Sequence, residues 1–154
     1  MSCPGTTPLF VDTGAFYAHY DESASRHERA TAVFDAIATG TVQFRPLFTT
    51  THVLAEIGTL LMRKRSHSVA VRGLSRIRDS PAFTVVHPTE NEFDRACQQF
   101  DRYDDHQITL VDHLTAALAD ERDVAHVFAF DRDFRTLGLT LVPEEIRLPD
   151  PADT

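Results

Sequence analysis

The segment Leu9-Phe10-Val11-Asp12-Thr13-Gly14 decides the fold class. Three large apolar residues in succession make a run of strand length, and Asp-Thr-Gly then supplies a turn into a helix. The alternation continues outward. Ser25 to Ala38 sets Ala30, Val33, Phe34 and Ile37 at helical spacing, with Gly40 as a stop. Val42 to Leu47 reads as a second strand, and the hydroxyls of Thr49, Thr50 and Thr51 offer N-caps for a long helix to about Arg65. Ser68 to Arg78 is a further helix, striped by Val69, Leu74 and Ile77 and broken by Asp79-Ser80-Pro81. Phe83 to Val86 is a short β-type run. Thr89 caps a helix to about Asp101, and Thr109 caps another to about Arg122. His126 to Phe130 and Leu139 to Val142 read as strands. The tail after about residue 143, rich in proline and acid, is expected to pack loosely. Strands separated by helices imply an α/β chain with a central, mostly parallel sheet. Ligands of such sheets bind outside the carboxyl ends of the strands, so the residues just after each strand run matter most.

With 154 residues, a single domain over 1–154 is expected. An apolar content of 42% and a charged content of 25% fit a globular chain and exclude wholesale disorder. No apolar run approaches the roughly 20 residues of a membrane span. Residues Met1 to Pro8 lack the basic and apolar regions of a secretory signal. Cys3 and Cys97 form no framework and lack metal-ligand spacing, which suits a reduced, cytoplasmic protein. The net charge is −8, from 23 acids against 15 bases. Nucleic acid is therefore not gripped through bulk positive charge; it is either not the partner, or cations and a local basic patch do the work. Lys64 is the single lysine, a bias that fits a saline cytoplasm and a GC-rich genome equally.

Four acids fall where an isolated carboxylate is costly. Asp12 ends the first strand, where it reads as either a helix N-cap or a ligand. Glu56 shares a helix face with Val53 and Leu60, so it projects from the apolar stripe or borders it. Asp112 shares a face with Ile108, Thr115, Ala116 and Ala119, and its spacing from Thr109 is that of a capping box. A first-turn carboxylate can cap and still reach a metal. Asp131 and Asp133 follow the strand at Val127 to Phe130, as a turn, a cap, or one ligand and an auxiliary one.

The conjunction says more than any single acid. A parallel sheet gathers its strand ends at one edge, so Asp12, Glu56, Asp112 and Asp131 can converge. Carboxylates that share a pocket repel and do not all ionise unaided. Mg²⁺ or Mn²⁺, which prefers hard oxygen ligands, resolves that conflict. Such a site activates a water and braces a phosphodiester for in-line attack. It also reconciles an acidic chain with a phosphate substrate, because the ion supplies the attraction.

In chain order, Val-Asp-Thr (11–13), Val-Leu-Ala-Glu (53–56), Thr-Leu-Val-Asp (109–112) and Phe-Asp-Arg-Asp-Phe (130–134) resemble the motifs of PIN-domain ribonucleases, especially the VapC-type toxins of toxin–antitoxin pairs. The resemblance runs from about Leu9 to Val142. It implies a three-layer α/β/α fold. It implies Mg²⁺ or Mn²⁺ held by Asp12, Glu56, Asp112 and Asp131, with Asp133 as an auxiliary catalytic acid and the Thr13 hydroxyl supporting Asp12. The implied activity is endoribonucleolytic, leaving 5′-phosphate and 3′-hydroxyl ends. A cognate antitoxin protein and a homodimer are the implied partners besides RNA. One departure stands out: where the family often has Thr or Ser two residues before the last aspartate, this chain has Ala129. That removes a hydroxyl beside the ligand shell but no ligand.

Arg63, Lys64, Arg65, Arg72, Arg76 and Arg78 fall within 16 residues, and no acid occurs from Ile57 to Arg78. They form either a solvated basic face or a contact for RNA phosphate or an acidic antitoxin. Rival chemistries fit less well. A phospho-accepting aspartate needs a nearby lysine, and Lys64 lies inside the basic helical run. A dinucleotide site needs a glycine-rich loop after the first strand, where only Gly14 stands. No Gly-x-Ser-x-Gly elbow occurs. The remaining alternative is a non-catalytic PIN-like module acting through protein or RNA contacts.

Overall fold

The computed structural model describes residues 5–104 and 107–148. Strand β1 (Thr7–Val11) is followed by helices α1 (Thr13–Tyr20) and α2 (His27–Ala38). Strand β2 (Phe44–Thr50) leads into α3 (Thr51–Lys64) and α4 (His67–Asp79). Then come β3 (Phe83–Val86), α5 (Glu90–Arg102), α6 (Leu110–Glu121), β4 (His126–Phe128), α7 (Asp133–Thr136) and β5 (Thr140–Val142). The five strands lie in the order β3-β2-β1-β4-β5, and every neighbouring pair is parallel.

The period of two along a strand divides the core into layers. Leu9 and Val11 pack on one side with Ala15, Phe16, Val33, Val53, Ile57 and Ile77, all from α1 to α4. Phe10, between them, packs on the other side with Leu118 and Ala119 of α6 and Phe134 of α7. On β4, Val127 and Phe128 divide between the two sides in the same way. The fold is a three-layer α/β/α sandwich, with α5 attached to α6 through Ala96, Leu114 and Ala117. Among the described residues, no helix is long and apolar enough to cross a membrane.

Three expectations need correction. Strand β2 runs to Thr50 rather than stopping at Leu47, because Thr49 and Thr50 continue the ladder opposite Val85 and Val86. Strand β4 ends at Phe128, two residues early, where the chain turns toward Asp131. The tail is not loose as far as 148. Ile146 and Leu148 pack against the main core, and the Glu145 carboxylate accepts a bond from the Leu141 N–H. The rest of the tail, 149–154, lies outside the described residues, as does Cys3.

Candidate active site

Each acid of the set owes its place to a local rule. The Asp12 N–H donates to the Phe128 carbonyl at 3.0 Å, which fixes the end of β1 beside the end of β4. Asp12 then becomes the N-cap of α1. Its Oδ2 accepts from the Gly14 N–H at 3.5 Å, whereas its Oδ1 is buried with no hydrogen-bond partner. Cap and candidate ligand thus divide between the two oxygens of one carboxylate. Asp112 completes the capping box of α6: Oδ2 accepts from the Thr109 N–H at 3.1 Å, and the Asp112 N–H donates to Thr109 Oγ1 at 3.2 Å. Asp12 and Asp112 are each 6% exposed.

Glu56 is half-buried on α3. It lines a groove of about 560 Å³ with His52, Leu60, Arg63 and Val111, so it borders the stripe and faces the residue before Asp112. Asp131 is exposed, and its Oδ1 accepts from the Asp133 N–H at 2.9 Å, a turn that opens the short helix α7. Asp133 is the first residue of that helix.

Electrostatics tie the four together. Burial, reinforced by the Asp112 and Glu56 charges, pushes Asp12 up to about 7, against the opposing N–H groups of Thr13 and Gly14. Burial also pushes Asp112 up to about 6; the Thr109 bonds oppose this, and the charges of Asp131 and Glu56 add to it. Among the described residues none of the four forms an ion pair with Arg, Lys or His. Yet no group of three or more acid, His or Cys side chains among those residues is arranged as a ready-made metal site. The four are electrostatic neighbours that do not converge on one point as they stand. The donor set fits a hard cation on chemical grounds: all oxygen, mutually repelling, with one buried carboxylate oxygen left without a donor.

The Thr13 hydroxyl does not support Asp12 as expected. It is buried without a hydrogen-bond partner, and the bond to the Asp12 carboxylate comes from the Gly14 N–H instead, as the N-cap position dictates. Ala129 is buried among the apolar residues of the second core side. The basic residues of 63–78 separate. Arg63 lines the Glu56 groove, and Arg65, Arg72 and Arg76 line a pocket beside Tyr20 and Glu22. Arg78 lies in another groove with Thr51 and His87, and Lys64 is exposed at the end of α3.

The sequence did not single out Asp21, a fully enclosed acid. It accepts from Ser23 and from the Tyr17 hydroxyl and pairs with Arg65 at 3.3 Å, and the Ser23 and Tyr17 bonds hold it down at about 2. Its role is structural, and Asp-Glu-Ser reads as an ordinary loop. Arg26, also unmarked by any motif, lies 5.1 Å over the Phe130 ring, one residue before Asp131.

The PIN-domain family model matches residues 9–138. The chain belongs to the PIN-domain family. Its sequence is 30% identical over 139 residues to the 23S rRNA-specific endonuclease VapC20 of Mycobacterium tuberculosis, covering 89% of this chain and 99% of the relative. The crystal structure of VapC20, described as a toxin that cleaves the sarcin–ricin loop, superposes on this PIN domain with a TM-score of 0.77 at 28% identity. That match covers 86% of this chain and 96% of VapC20. VapBC2 from Rickettsia felis, bound to a promoter DNA fragment, shares the fold with a TM-score of 0.62 at 10% identity over 88% of this chain and 97% of its own.

Proposed function

We propose that this PIN domain is a Mg²⁺- or Mn²⁺-dependent endoribonuclease, the toxin of a toxin–antitoxin pair. One observation carries the reading: Asp12 Oδ1, buried and unpaired, lies within the fields of Asp112 and Glu56, and Asp112 within that of Asp131. Asp12, Glu56, Asp112 and Asp131 would hold the cation. When bound, it supplies an activated water and positive charge for hydrolysis of a phosphodiester. Asp12 and Asp112 stay fixed by their capping bonds while their other oxygens turn to the site. Asp133, at the start of α7, steers a water. Similarity to VapC20 makes a structured ribosomal RNA loop the first substrate to test.

The full chain should cleave a sarcin–ricin-type RNA hairpin in Mn²⁺ or Mg²⁺, leaving 5′-phosphate ends. EDTA and Asp12→Ala should each abolish cleavage. Cleavage that persists in EDTA would refute the reading. A second reading, a non-catalytic PIN-like module, is favoured by Ala129 and by the absence, among the described residues, of a ready-made metal group. It predicts RNA or protein binding without cleavage and without cation binding. A cognate antitoxin, a homodimer and a cytoplasmic location complete the proposal. Co-expression with the protein encoded by the adjacent gene, followed by light scattering of the purified complex, tests the first two.

A further inference from the structure

Among the described residues, two of the arginines in the pocket beside Tyr20 form no ion pair. The pocket, about 220 Å³, gathers Arg65, Arg72 and Arg76 around Tyr20, Glu22 and Gly73. It depends on a close helix approach: a Cβ on Gly73 would come 2.9 Å from Leu61 Cδ1 and 3.8 Å from the Tyr20 ring. Arg65 is held in place by Asp21, which Ser23 and Tyr17 fix in turn. Arg72 and Arg76 are four residues apart and so share one face of α4. Neither forms an ion pair among the described residues, and the Glu22 carboxylate lines the concavity with them.

The segment 21–26 joins this pocket to the acid edge of the sheet. Asp21 lies at the pocket end, and Arg26 at the other end rests on Phe130 next to Asp131. Five Cα steps separate them, a reach of at most about 18 Å. An acidic chain with a carboxylate cluster repels a polyanion, so a strand brought to that cluster needs anchoring beside it. Guanidinium groups grip phosphate through a planar fork of donors. Arg26 beside Asp131 and an arginine pocket within that chain reach suit a continuous backbone better than an isolated acidic side chain.

We infer that the Arg72–Arg76 pocket seats a backbone phosphate of the RNA substrate away from the cleavage point, with Arg26 contacting the strand between pocket and acids. This rests on the ribonuclease reading, but the test separates the two. A fluorescein-labelled RNA stem-loop is titrated with the full chain in EDTA, where no cleavage competes, and its anisotropy is followed across a salt series. The double variant Arg72→Ala/Arg76→Ala should raise Kd at least tenfold and flatten the slope of log Kd against log salt by about 0.7, the value for one lost single-strand phosphate contact. Arg72→Lys/Arg76→Lys should keep most of the slope. In cleavage assays with metal, the alanine variant should raise KM for the stem-loop more than it lowers kcat. Unchanged Kd and slope would overturn the inference even if the wild type cleaves RNA. A rise in Kd without a change in slope, reproduced by the lysine variant, would also overturn it, by marking a packing defect. Loss of antitoxin binding with RNA binding intact would assign the pocket to a protein. If the wild type binds RNA through the pocket but never cleaves it, the pocket stands and the ribonuclease reading fails.

Discussion

The Thr49 hydroxyl donates a 3.1 Å hydrogen bond to the carbonyl of Val11, the residue before Asp12. Both residues are fully buried. The next residue, Thr50, caps α3 by accepting from the Val53 N–H at 3.0 Å. Two consecutive threonines at the end of β2 thus fix the strand end that bears Asp12 and the helix that bears Glu56. Thr49→Val keeps the shape and removes the bond. It should cost about 1–2 kcal/mol in urea unfolding and weaken Mn²⁺ binding several-fold, while Thr49→Ser preserves both. Unchanged Mn²⁺ affinity in the valine variant would reduce Thr49 to a folding role.

On the proposed function, protons and a cation compete for the same carboxylates. Asp12 at about 7 and Asp112 at about 6 stand above their ordinary 3.8. Their folded-state values are raised, so across that window the folded chain holds protons that the unfolded chain has released. The metal-free protein therefore loses stability as pH rises from about 4 through 7. Thermal unfolding in EDTA should give a Tm that declines from pH 5 to pH 8. Asp12→Asn should flatten that decline and, at pH 8, add at least about 1 kcal/mol to stability. Mn²⁺ affinity should run the other way and strengthen with pH. A decline as steep in Asp12→Asn as in the wild type would show that the charge on Asp12 is not its source.

The tail is a structural element as far as Leu148. Ile146→Ala and Leu148→Ala should each lower stability by about 1–2 kcal/mol, less than a fully buried site because both are half-buried. Chemical denaturation measures this directly. Losses under about 0.3 kcal/mol would restore the expectation of a loose tail from residue 143 onward.

Much of this was legible in the sequence because it follows from periodicity. Short apolar runs located the strands, and a parallel sheet then had to bring Asp12 and Asp131 to one edge. Helical spacing put Glu56 at the border of its stripe, and the Thr109–Asp112 spacing is the capping box that the structure forms. The illegible parts depend on tertiary partners. Asp21 is enclosed by Tyr17, Ser23 and Arg65, and the last of these lies 44 positions away in sequence. Strand β2 gains its last residues from pairing with β3, which no local pattern reports. The basic run from 63 to 78 spans the α3–α4 hairpin, whose geometry turns its members toward separate grooves. Prolines and acids make the tail after Pro143 read as loosely packed, whereas Ile146 and Leu148 pack it against the core.

The central claim is that one hard cation draws together four carboxylates from distant parts of the chain that already lie within one another's electrostatic reach. Titration of the purified chain with Mn²⁺ at pH 7.5, followed by electron paramagnetic resonance, tests it most directly. The account predicts one tight Mn²⁺ per chain in the wild type, and at least a tenfold loss of affinity in each of Asp12→Ala, Glu56→Ala, Asp112→Ala and Asp131→Ala. Mn²⁺ bound with wild-type affinity by all four variants, or by none of the proteins including the wild type, would contradict it.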